Sequence, residues 1–412
     1  MDALSDNLAN LKDSQFDIII VGGGVYGAVI ARESALCGYR TALVEKDEFC
    51  GSTSAHSLNV LHGGLRYLQH FNISRMRRSI YSRRYFQQIS PDNIEYLPFL
   101  TPLDRWGINS PFIMRSALLI NDLISIDRNK GISKQQYIKG GCVLSRKSLL
   151  RELPEFSDKP VSGAAIWYEA VMNNVKQLVN DILDSAKNNG AVIANNTEAI
   201  ELLHHEGKLT GLSCRNRQGN EIRINGKIVI DTSGRTSVKL GSSLPDYQAI
   251  RQHWARAVNM LIDRRLFKDY SVGLKYSDNV TDKEAKFNSG NRYLFFVPIK
   301  DGNAIGTFYE SENAVAGKLE INLSDQQKYL DAVNSVLPEG SISSDNITGW
   351  QSGWLPVDND DDQQLNIAKA SRIRSIDSNG EFSGLIEVRS VKFTTAPAVA
   401  RDVIEVLRSN FG

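Results

Sequence analysis

The sequence predicts a protein of the α/β class (α+β overall), with one domain on a parallel sheet and a second, mostly antiparallel domain. Residues 17–21 (DIIIV) are apolar and β-branched, as in a strand buried on both faces. Residues 22–27 (GGGVYG) fit G-x-G-x-x-G and precede a helical pattern at residues 28–36 and a second apolar run at residues 41–44. Residues 292–307 predict an antiparallel strand pair with a central turn.

The glycine turn predicts a Rossmann-like, dinucleotide-binding unit. Its first glycine permits the tight turn, the second lets a pyrophosphate approach the backbone, and the third lets the helix pack close to the strand. Glu45 ends the second strand, 23 positions after Gly22, where such a unit accepts ribose hydroxyls. A glycine turn alone also occurs in other βαβ units, but strand, helix, second strand and acid in register favour dinucleotide binding.

Composition narrows the class of protein. A chain of 412 residues usually folds into two or three domains. The net charge of +1 gives no basic excess for binding nucleic acid. The four cysteines have neither metal-type nor disulfide-type spacing, so we expect no metal site and a reducing, cytoplasmic compartment. The first residues do not resemble a signal peptide, and the longest uncharged apolar stretch, residues 18–31, is shorter than the roughly 20 residues that span a bilayer.

Two further blocks follow the glycine turn. Residues 51–57 (GSTSAHS) offer N–H groups and hydroxyls suited to a phosphate or the edge of a ring, and residues 62–68 read HGGLRYL. Together with residues 22–45, these blocks resemble the FAD-dependent glycerol-3-phosphate dehydrogenase family, within the D-amino-acid-oxidase superfamily of flavoproteins. HGGLRYL matches that family's motif letter for letter. The resemblance implies FAD as cofactor and places HGGLRYL beside the flavin and the substrate.

The resemblance extends towards the C-terminus. Residues 227–234 (KIVIDTSG) resemble the second FAD signature of the superfamily, residues 371–372 the family's S/T-R step, and residues 392–395 (KFTT) its K-L-T-T. A helix after KFTT would direct its positive N-terminus at the reduced flavin. The implied FAD-binding residues are Gly22, Gly24, Tyr26, Gly27, Glu45, Lys46, Ser52, Thr53, Ser54, Ser57, His62, Gly63, Gly64, Thr232, Ser233, Gly234, Lys392, Phe393 and Thr394.

The implied chemistry is hydride transfer from a carbinol carbon to flavin, giving a ketone. His62 is the first candidate for the base that takes the hydroxyl proton, since an imidazole titrates near neutrality. Three arginines are candidates for holding an anionic substrate, and Lys392 for supporting flavin or substrate. The catalytic candidates are His62, Arg66, Tyr67, Arg292, Arg372 and Lys392. The alternative for His62 is a structural histidine, and the alternative for Lys392 is a surface lysine.

The sequence departs from the family in several places. The family's G-V-R-P-L is GWLPV at residues 353–357, which puts Leu355 where an arginine is expected to hold the substrate phosphate. The lysine before L-I-H is Asn59, and the glycine pair before K-L-T-T is replaced at residues 390–391. No counterpart of the family's C-terminal helical domain follows. We therefore expect a divergent member whose substrate is not glycerol 3-phosphate in the usual pose.

The predicted domains are discontinuous. The FAD-binding domain comprises residues 16–90, 155–245 and 346–412, and the substrate-binding or cap domain comprises residues 91–154 and 246–345.

Several alternatives stay open. The chain is also compatible with an amine or 2-hydroxy-acid oxidase or dehydrogenase of the superfamily, or with a catalytically inactive flavin-binding partner protein. The electron acceptor is a quinone, oxygen or a protein. His56 is a candidate for covalent flavin attachment, with an ordinary loop histidine as the alternative. Helical patterns at residues 73–89, rich in arginine, and 113–120 are compatible with peripheral contact to the inner membrane surface or with ordinary solvated helices.

Overall fold

The structure is a computed structural model. It describes residues 11–12, 14–241, 244, 253–276, 292–313, 315, 317–337, 341–361, 364–376 and 382–411. The chain divides into two compact units. The first comprises residues 1–55, 174–252 and 368–412, and the second comprises residues 56–173 and 253–367.

Strands and helices alternate irregularly along the described chain. The strands are β1 (Gln15–Val21), β2 (Thr41–Val44), β3 (Val60–Leu61), β4 (Ile94–Leu103), β5 (Cys142–Ser145), β6 (Gly163–Met172), β7 (Val192–Ala194), β8 (Thr197–His205), β9 (Lys208–Asn216), β10 (Glu221–Asp231), β11 (His253–Ile262), β12 (Ser271–Tyr276), β13 (Arg292–Ile299), β14 (Gly302–Ser311), β15 (Ile347–Asp361), β16 (Gln364–Ile367), β17 (Arg372–Ile376) and β18 (Leu385–Arg389). The helices are α1 (Val25–Leu36), α2 (Ile73–Ile89), α3 (Pro111–Ile124), α4 (Arg146–Glu152), α5 (Val175–Asn188), α6 (Val238–Gly241), α7 (Leu323–Val336) and α8 (Ala396–Phe411).

The first unit is built on a largely parallel sheet. Its central strands run in the order β18-β10-β1-β2-β7, all parallel, with β17 antiparallel at the β18 edge. Strands β8 and β9 extend β10 as an antiparallel meander. Helix α1 packs against α5 and α8. The consecutive residues Ile18, Ile19 and Ile20 of β1 are all fully buried, so both faces of this strand are covered and it lacks polar alternation.

The second unit is built on a mostly antiparallel sheet. The order is β16-β15-β11-β14-β13-β12-β4-β6-β3, with β5 also paired to β6. Only β12 and β4, among these pairs of the described chain, run parallel. Its main core packs Tyr329, Leu330 and Val333 of α7 and Leu149 of α4 against the sheet. The two sheet types confirm the predicted fold class.

The unit boundaries differ from the predicted domain boundaries. Residues 56–90, 155–173 and 346–367, which we predicted in the FAD-binding domain, lie in the second unit. The reason is strand pairing: β3 and β4 pair with β6, and β15 pairs with β11. The HGGLRYL block therefore follows β3 in the second unit, although its closeness in sequence to the glycine turn favours the first.

Candidate functional site

Three parallel strands of the first unit end at one edge of the sheet. In the register, Val21 at the end of β1 pairs with Val44 of β2 on one side and with Asp231 of β10 on the other. The residues that follow are Gly22, Glu45 and Thr232. Because ligands of open parallel sheets bind outside the carboxyl ends of the strands, this edge is the candidate cofactor site.

The glycine turn contains glycines that pack closely against backbone or an aromatic ring, and one, Gly24, that meets a single side chain. A Cβ at Gly27 would lie 1.8 Å from the carbonyl oxygen of Gly22, so α1 can approach β1 this closely only with glycine there. A Cβ at Gly23 would lie 2.5 Å from the ring of Phe49. At Gly24, by contrast, the contacts within 4 Å come from the Ser54 side chain alone. This opening at the N-terminus of α1 fits a pyrophosphate, which helix N-terminal amides attract.

Side chains from the next two segments brace this turn. The Ser54 hydroxyl accepts a hydrogen bond from the backbone N–H of Val25 at 3.2 Å. Glu45 Oε2 accepts one from the N–H of Gly23 at 2.6 Å, and its Oε1 accepts one from Asp47 at 2.9 Å. Lys46 is exposed, with its Nζ 3.6 Å from Asp47. Glu45 thus lies at the glycine turn, as predicted for the residue that meets the ribose.

The second signature closes the turn from the β10 side. The Thr232 hydroxyl donates to the carbonyl oxygen of Val21 at 2.8 Å. Both the N–H and the hydroxyl of Ser233 donate to Asp231 Oδ1, at 2.9 and 2.6 Å. Asp231 is buried; burial raises the pKa of its carboxyl, and the Ser233 hydrogen bonds and Arg389 oppose that shift. Gly234 has a φ of +68°, and a Cβ added there would have no atom within 4 Å, so Gly234 faces open space.

Tyr26 joins the glycine turn to the C-terminal block. Its hydroxyl donates to the carbonyl oxygen of Lys392 at 2.8 Å and lies 2.9 Å from Thr395 Oγ1 and 3.2 Å from Ser371 Oγ. Burial raises the pKa of the Tyr26 phenol despite these hydrogen bonds. The Tyr26 side chain thus aligns the KFTT segment, whose Thr394 is buried.

The second unit holds the HGGLRYL block as a fixed turn. Gly64 has a φ of +87°, a left-handed conformation that favours glycine. The ring of Tyr67 is buried and meets the His62 ring edge-on, with centroids 5.8 Å apart. The guanidinium of Arg75 lies 4.8 Å from the Tyr67 ring centroid. Arg66 is exposed, and its charge acts on Tyr293, whose phenol pKa is raised chiefly by burial.

Arg292 is held at the start of β13. Its guanidinium lies 4.4 Å from the centroid of the Tyr309 ring and donates to the carbonyl oxygen of Thr307 at 3.3 Å. The aromatic ring keeps the arginine oriented.

The predicted residues fall into two groups. The first unit contains Gly22, Gly24, Tyr26, Gly27, Glu45, Lys46, Ser52, Thr53, Ser54, Thr232, Ser233, Gly234, Arg372, Lys392, Phe393 and Thr394. The second unit contains Ser57, His62, Gly63, Gly64, Arg66, Tyr67 and Arg292. In the second unit, Ser57 accepts from the N–H of Asn59 at 3.2 Å, and His56 Nδ1 lies 2.6 Å from the carbonyl oxygen of Ser352.

Sequence reasoning missed two residues that contact the predicted site. Glu169 of β6 accepts the backbone N–H of Gly63, and Arg83 of α2 pairs with Glu169. Glu169 is 106 positions from Gly63, and no local pattern marks it. Arg83 was predicted on a solvated helix face, but it is 4% exposed. Its position three residues after Ile80, on the apolar stripe of the helix, was the available signal.

Comparison with known proteins shows the family of the chain. Residues 17–406 match the FAD dependent oxidoreductase family (DAO). The chain belongs to this family. FAD is thus its cofactor, and the predicted resemblance is confirmed.

The relatives in this family include glycerophosphate enzymes. The chain is 28% identical over 358 residues to an alpha-glycerophosphate oxidase of Streptococcus pyogenes, covering 85% of this chain and 55% of that protein. It is 24% identical over 397 residues to a glycerol-3-phosphate dehydrogenase of Mycobacterium leprae, covering 95% of this chain and 63% of that protein. The chain therefore spans about 55–63% of the length of these relatives.

A solved structure shares the fold. It is the glycerol-3-phosphate dehydrogenase from Bacillus halodurans complexed with FAD, with a TM-score of 0.71 at 18% identity, covering 98% of this chain and 66% of that one.

Proposed function

We propose that this protein oxidises a CH–OH group of a small anionic substrate to a ketone, with FAD as the hydride acceptor. The HGGLRYL turn carries the proposal, because it presents His62 on a backbone fixed by Gly64 and against the ring of Tyr67. The opening at Gly24 supports the cofactor assignment. A pyrophosphate has more room there than at the other glycines of the turn, which are Gly22, Gly23 and Gly27.

The residues of the chain divide the work. When bound, FAD supplies the two-electron acceptor for a hydride from the carbinol carbon. His62 takes the hydroxyl proton as the C–O double bond forms, so that one hydride and one proton leave the alcohol. Lys392 supports either the flavin or the substrate. Its backbone carbonyl is held by Tyr26.

Each unit carries arginines suited to an anionic substrate. Arg66 and Arg372 are exposed, and Arg292 is oriented by Tyr309. Charge-assisted hydrogen bonds from such groups to a carboxylate or phosphate are stronger than neutral ones. Leu355 and Asn59 replace two cations of the family motif, which favours a hydroxy compound with a carboxylate or a bulkier apolar part over glycerol 3-phosphate.

A panel of donors tests this function. The protein is mixed anaerobically with glycerol 3-phosphate, 2-hydroxy acids and amines, and the flavin absorbance is followed. We expect bleaching by a hydroxy compound that carries an anionic group. Bleaching by amines alone would establish the superfamily alternative of an amine oxidase. Flavin that no donor of the panel reduces, yet dithionite does, would support the inactive binding-partner alternative. The same panel with oxygen or a quinone added afterwards identifies the electron acceptor.

We also propose that α3 and its flanking residues contact the surface of an anionic membrane. On α3, Phe112, Leu119 and Leu123 are 79%, 63% and 64% exposed and share one helix face, since they follow an i, i+7, i+11 spacing. Trp106 and Ile126, on either side, are 78% and 82% exposed. Apolar side chains at this density on one exposed face are typical of an interaction surface. Within the described residues, no helix has the length and apolar character needed to cross a bilayer.

Charge selects an anionic lipid surface as the occupant of this face. The segment between residues 104 and 140 carries exposed basic side chains, while its aspartates are each ion-paired. The exposed basic residues are Arg105, Arg115, Lys130, Lys134 and Lys139. The ion-paired acids are Asp104, Asp122 and Asp127. Amphipathic surfaces with basic flanks bind anionic lipid.

Vesicle sedimentation tests the membrane proposal. Wild-type protein should sediment with vesicles that contain phosphatidylglycerol and remain in solution with phosphatidylcholine alone. Phe112→Ser combined with Leu123→Ser should abolish sedimentation. Leu323→Ser is the matched control, because Leu323 is 81% exposed on α7. Equal sedimentation of the double variant and the control would contradict the proposal, as would a dimer that forms through this face.

A further inference from the structure

Glu169 makes a buried junction behind the HGGLRYL turn. Its carboxylate Oε2 accepts the backbone N–H of Gly63 at 2.5 Å and Arg83 Nη1 at 2.7 Å. Its Oε1 accepts the indole N–H of Trp167 at 3.2 Å. The strand register explains the position: Leu61 of β3 pairs with Ala170 of β6, which brings Glu169 beside the start of the turn. Glu169 and Arg83 are both 4% exposed.

Gly63 fits this junction only because it lacks a side chain. A Cβ at Gly63 would lie 2.5 Å from Arg83 Nη1 and 3.0 Å from Arg83 Cζ. The guanidinium therefore packs directly on the backbone of Gly63 while Glu169 binds its N–H. Gly64, next in sequence, is held in its left-handed conformation against Tyr67. The main chain on the C-terminal side of His62 is thus fixed at two consecutive residues.

Stability alone does not explain a buried ion pair at this place. Apolar residues of similar volume can replace such a pair with little loss of stability, whereas removing one partner leaves an uncompensated buried charge. What apolar residues cannot do is accept the N–H of Gly63. The pair is thus explained by the geometry that it imposes on the turn.

We propose that Glu169, held by Arg83, is a positioning residue that orients the imidazole of His62 through the backbone of Gly63. The inference rests on the proposed function of His62 as the base. A displaced base loses rate steeply, because proton transfer requires hydrogen-bond reach to the substrate hydroxyl. Loss of Glu169 therefore lowers the rate of flavin reduction without removing any group that touches substrate.

The test follows the His62 ring directly. Protein with ¹³C-labelled histidine gives a ring cross-peak for each of its six histidines. The cross-peak that is lost in His62→Asn is that of His62. We expect Glu169→Gln to displace or split the His62 cross-peak and to lower the rate of donor-driven flavin reduction about 10- to 100-fold. Glu310→Gln is the matched control. Glu310 is a buried acid of the same unit that pairs with Arg256, away from the turn.

A double variant separates position from stability. Glu169→Met with Arg83→Met removes both charges, so its thermal midpoint should recover relative to Glu169→Gln while the His62 cross-peak stays displaced. An unmoved His62 cross-peak in both Glu169 variants would overturn the inference. The function of His62 is judged independently: wild-type reduction rates in His62→Asn would refute the base, whatever the cross-peaks of the Glu169 variants show.

Discussion

The hydroxyl of Tyr26 lies 2.8 Å from the carbonyl oxygen of Lys392, across 366 positions of sequence. Tyr26 lies in the first turn of α1, and Lys392 is the first residue of the KFTT segment. Because the same hydroxyl also meets Thr395 and Ser371, one buried group aligns three segments of the first unit. The glycine turn and the KFTT segment, two motifs that were assigned separately to FAD, are thus joined by the hydroxyl of Tyr26.

This relationship predicts the effect of Tyr26→Phe. Without the hydroxyl, the carbonyl oxygen of Lys392 loses one of its donors and keeps the N–H and the hydroxyl of Thr395. The loss of one such hydrogen bond costs about 0.5–1.5 kcal/mol of unfolding free energy. The KFTT segment should loosen, and the Kd for FAD should rise. Equilibrium denaturation and flavin titration of the apoprotein measure the two effects. Tyr329→Phe removes a buried phenol that binds Glu310 in the second unit, and should lower stability with the Kd unchanged. Equal Kd values for both variants would contradict the alignment role.

The glycine turn predicts different outcomes for two substitutions. Gly24→Val should fold as apoprotein with a smaller loss of stability than Gly27→Ala, because Gly24 has an ordinary φ of −75° and its Cβ would meet only the Ser54 side chain, at 3.0 Å, but it should contain no FAD. Gly27→Ala should lose stability in the apoprotein as well, because its Cβ would lie 1.8 Å from the Gly22 oxygen. Thermal melts and absorbance of the purified proteins provide both readouts. A yellow Gly24→Val protein would contradict the pyrophosphate assignment.

Leu355 predicts weak use of glycerol 3-phosphate. Leu355 lies on β15 beside Ala255 of β11 and offers no donor to a phosphate. One charge-assisted hydrogen bond contributes about 1.5–3 kcal/mol, so its absence weakens binding about ten- to a hundred-fold. Leu355→Arg should lower the KM for glycerol 3-phosphate, and Leu355→Met should not. Anaerobic flavin reduction against donor concentration measures this. Wild-type rates that already saturate at micromolar donor, with no gain from the arginine, would show that another cation holds the phosphate.

Asp127 predicts a specific loss of stability in acid. Hydrogen bonds from Arg77 and Arg84, opposed by partial burial, lower the pKa of the Asp127 carboxyl from 3.8 to about 2. Since the folded-state pKa lies below the unfolded value, the contribution is fully present above about pH 4 and is lost as the pH falls through about 2. Asp127→Asn should therefore lower the urea midpoint near neutrality and reduce its dependence on pH in this range. Solvent screening keeps the effect modest. An unchanged acid dependence would contradict the ion pairs.

The local elements near the start of the chain could be predicted from the sequence. The residues of β2 and α2 have the predicted bounds, and β1 and α1 differ only at their N-terminal ends. These segments owe their structure to periodicity, glycine and burial along contiguous residues.

What the sequence could not reveal depends on tertiary pairing. The contact of Glu169 with Gly63 follows from the β3–β6 register, which joins residues more than a hundred positions apart. The same pairing assigns the HGGLRYL block to the second unit. The hydroxyl of Tyr26, one of the predicted FAD-binding residues, has its partners at least 345 positions away in the sequence. Motif residues were recognisable, but the side chains that orient them were not.

Single-turnover flavin reduction in His62→Asn tests the central claim most directly. The FAD-loaded variant and wild type are mixed anaerobically with the best hydroxy donor of the panel, and the flavin absorbance is followed in a stopped-flow instrument. General-base catalysis contributes about 10²- to 10⁴-fold, so the variant should reduce its flavin slower by that factor while retaining bound FAD. Reduction at the wild-type rate would contradict His62 as the base of a CH–OH oxidation.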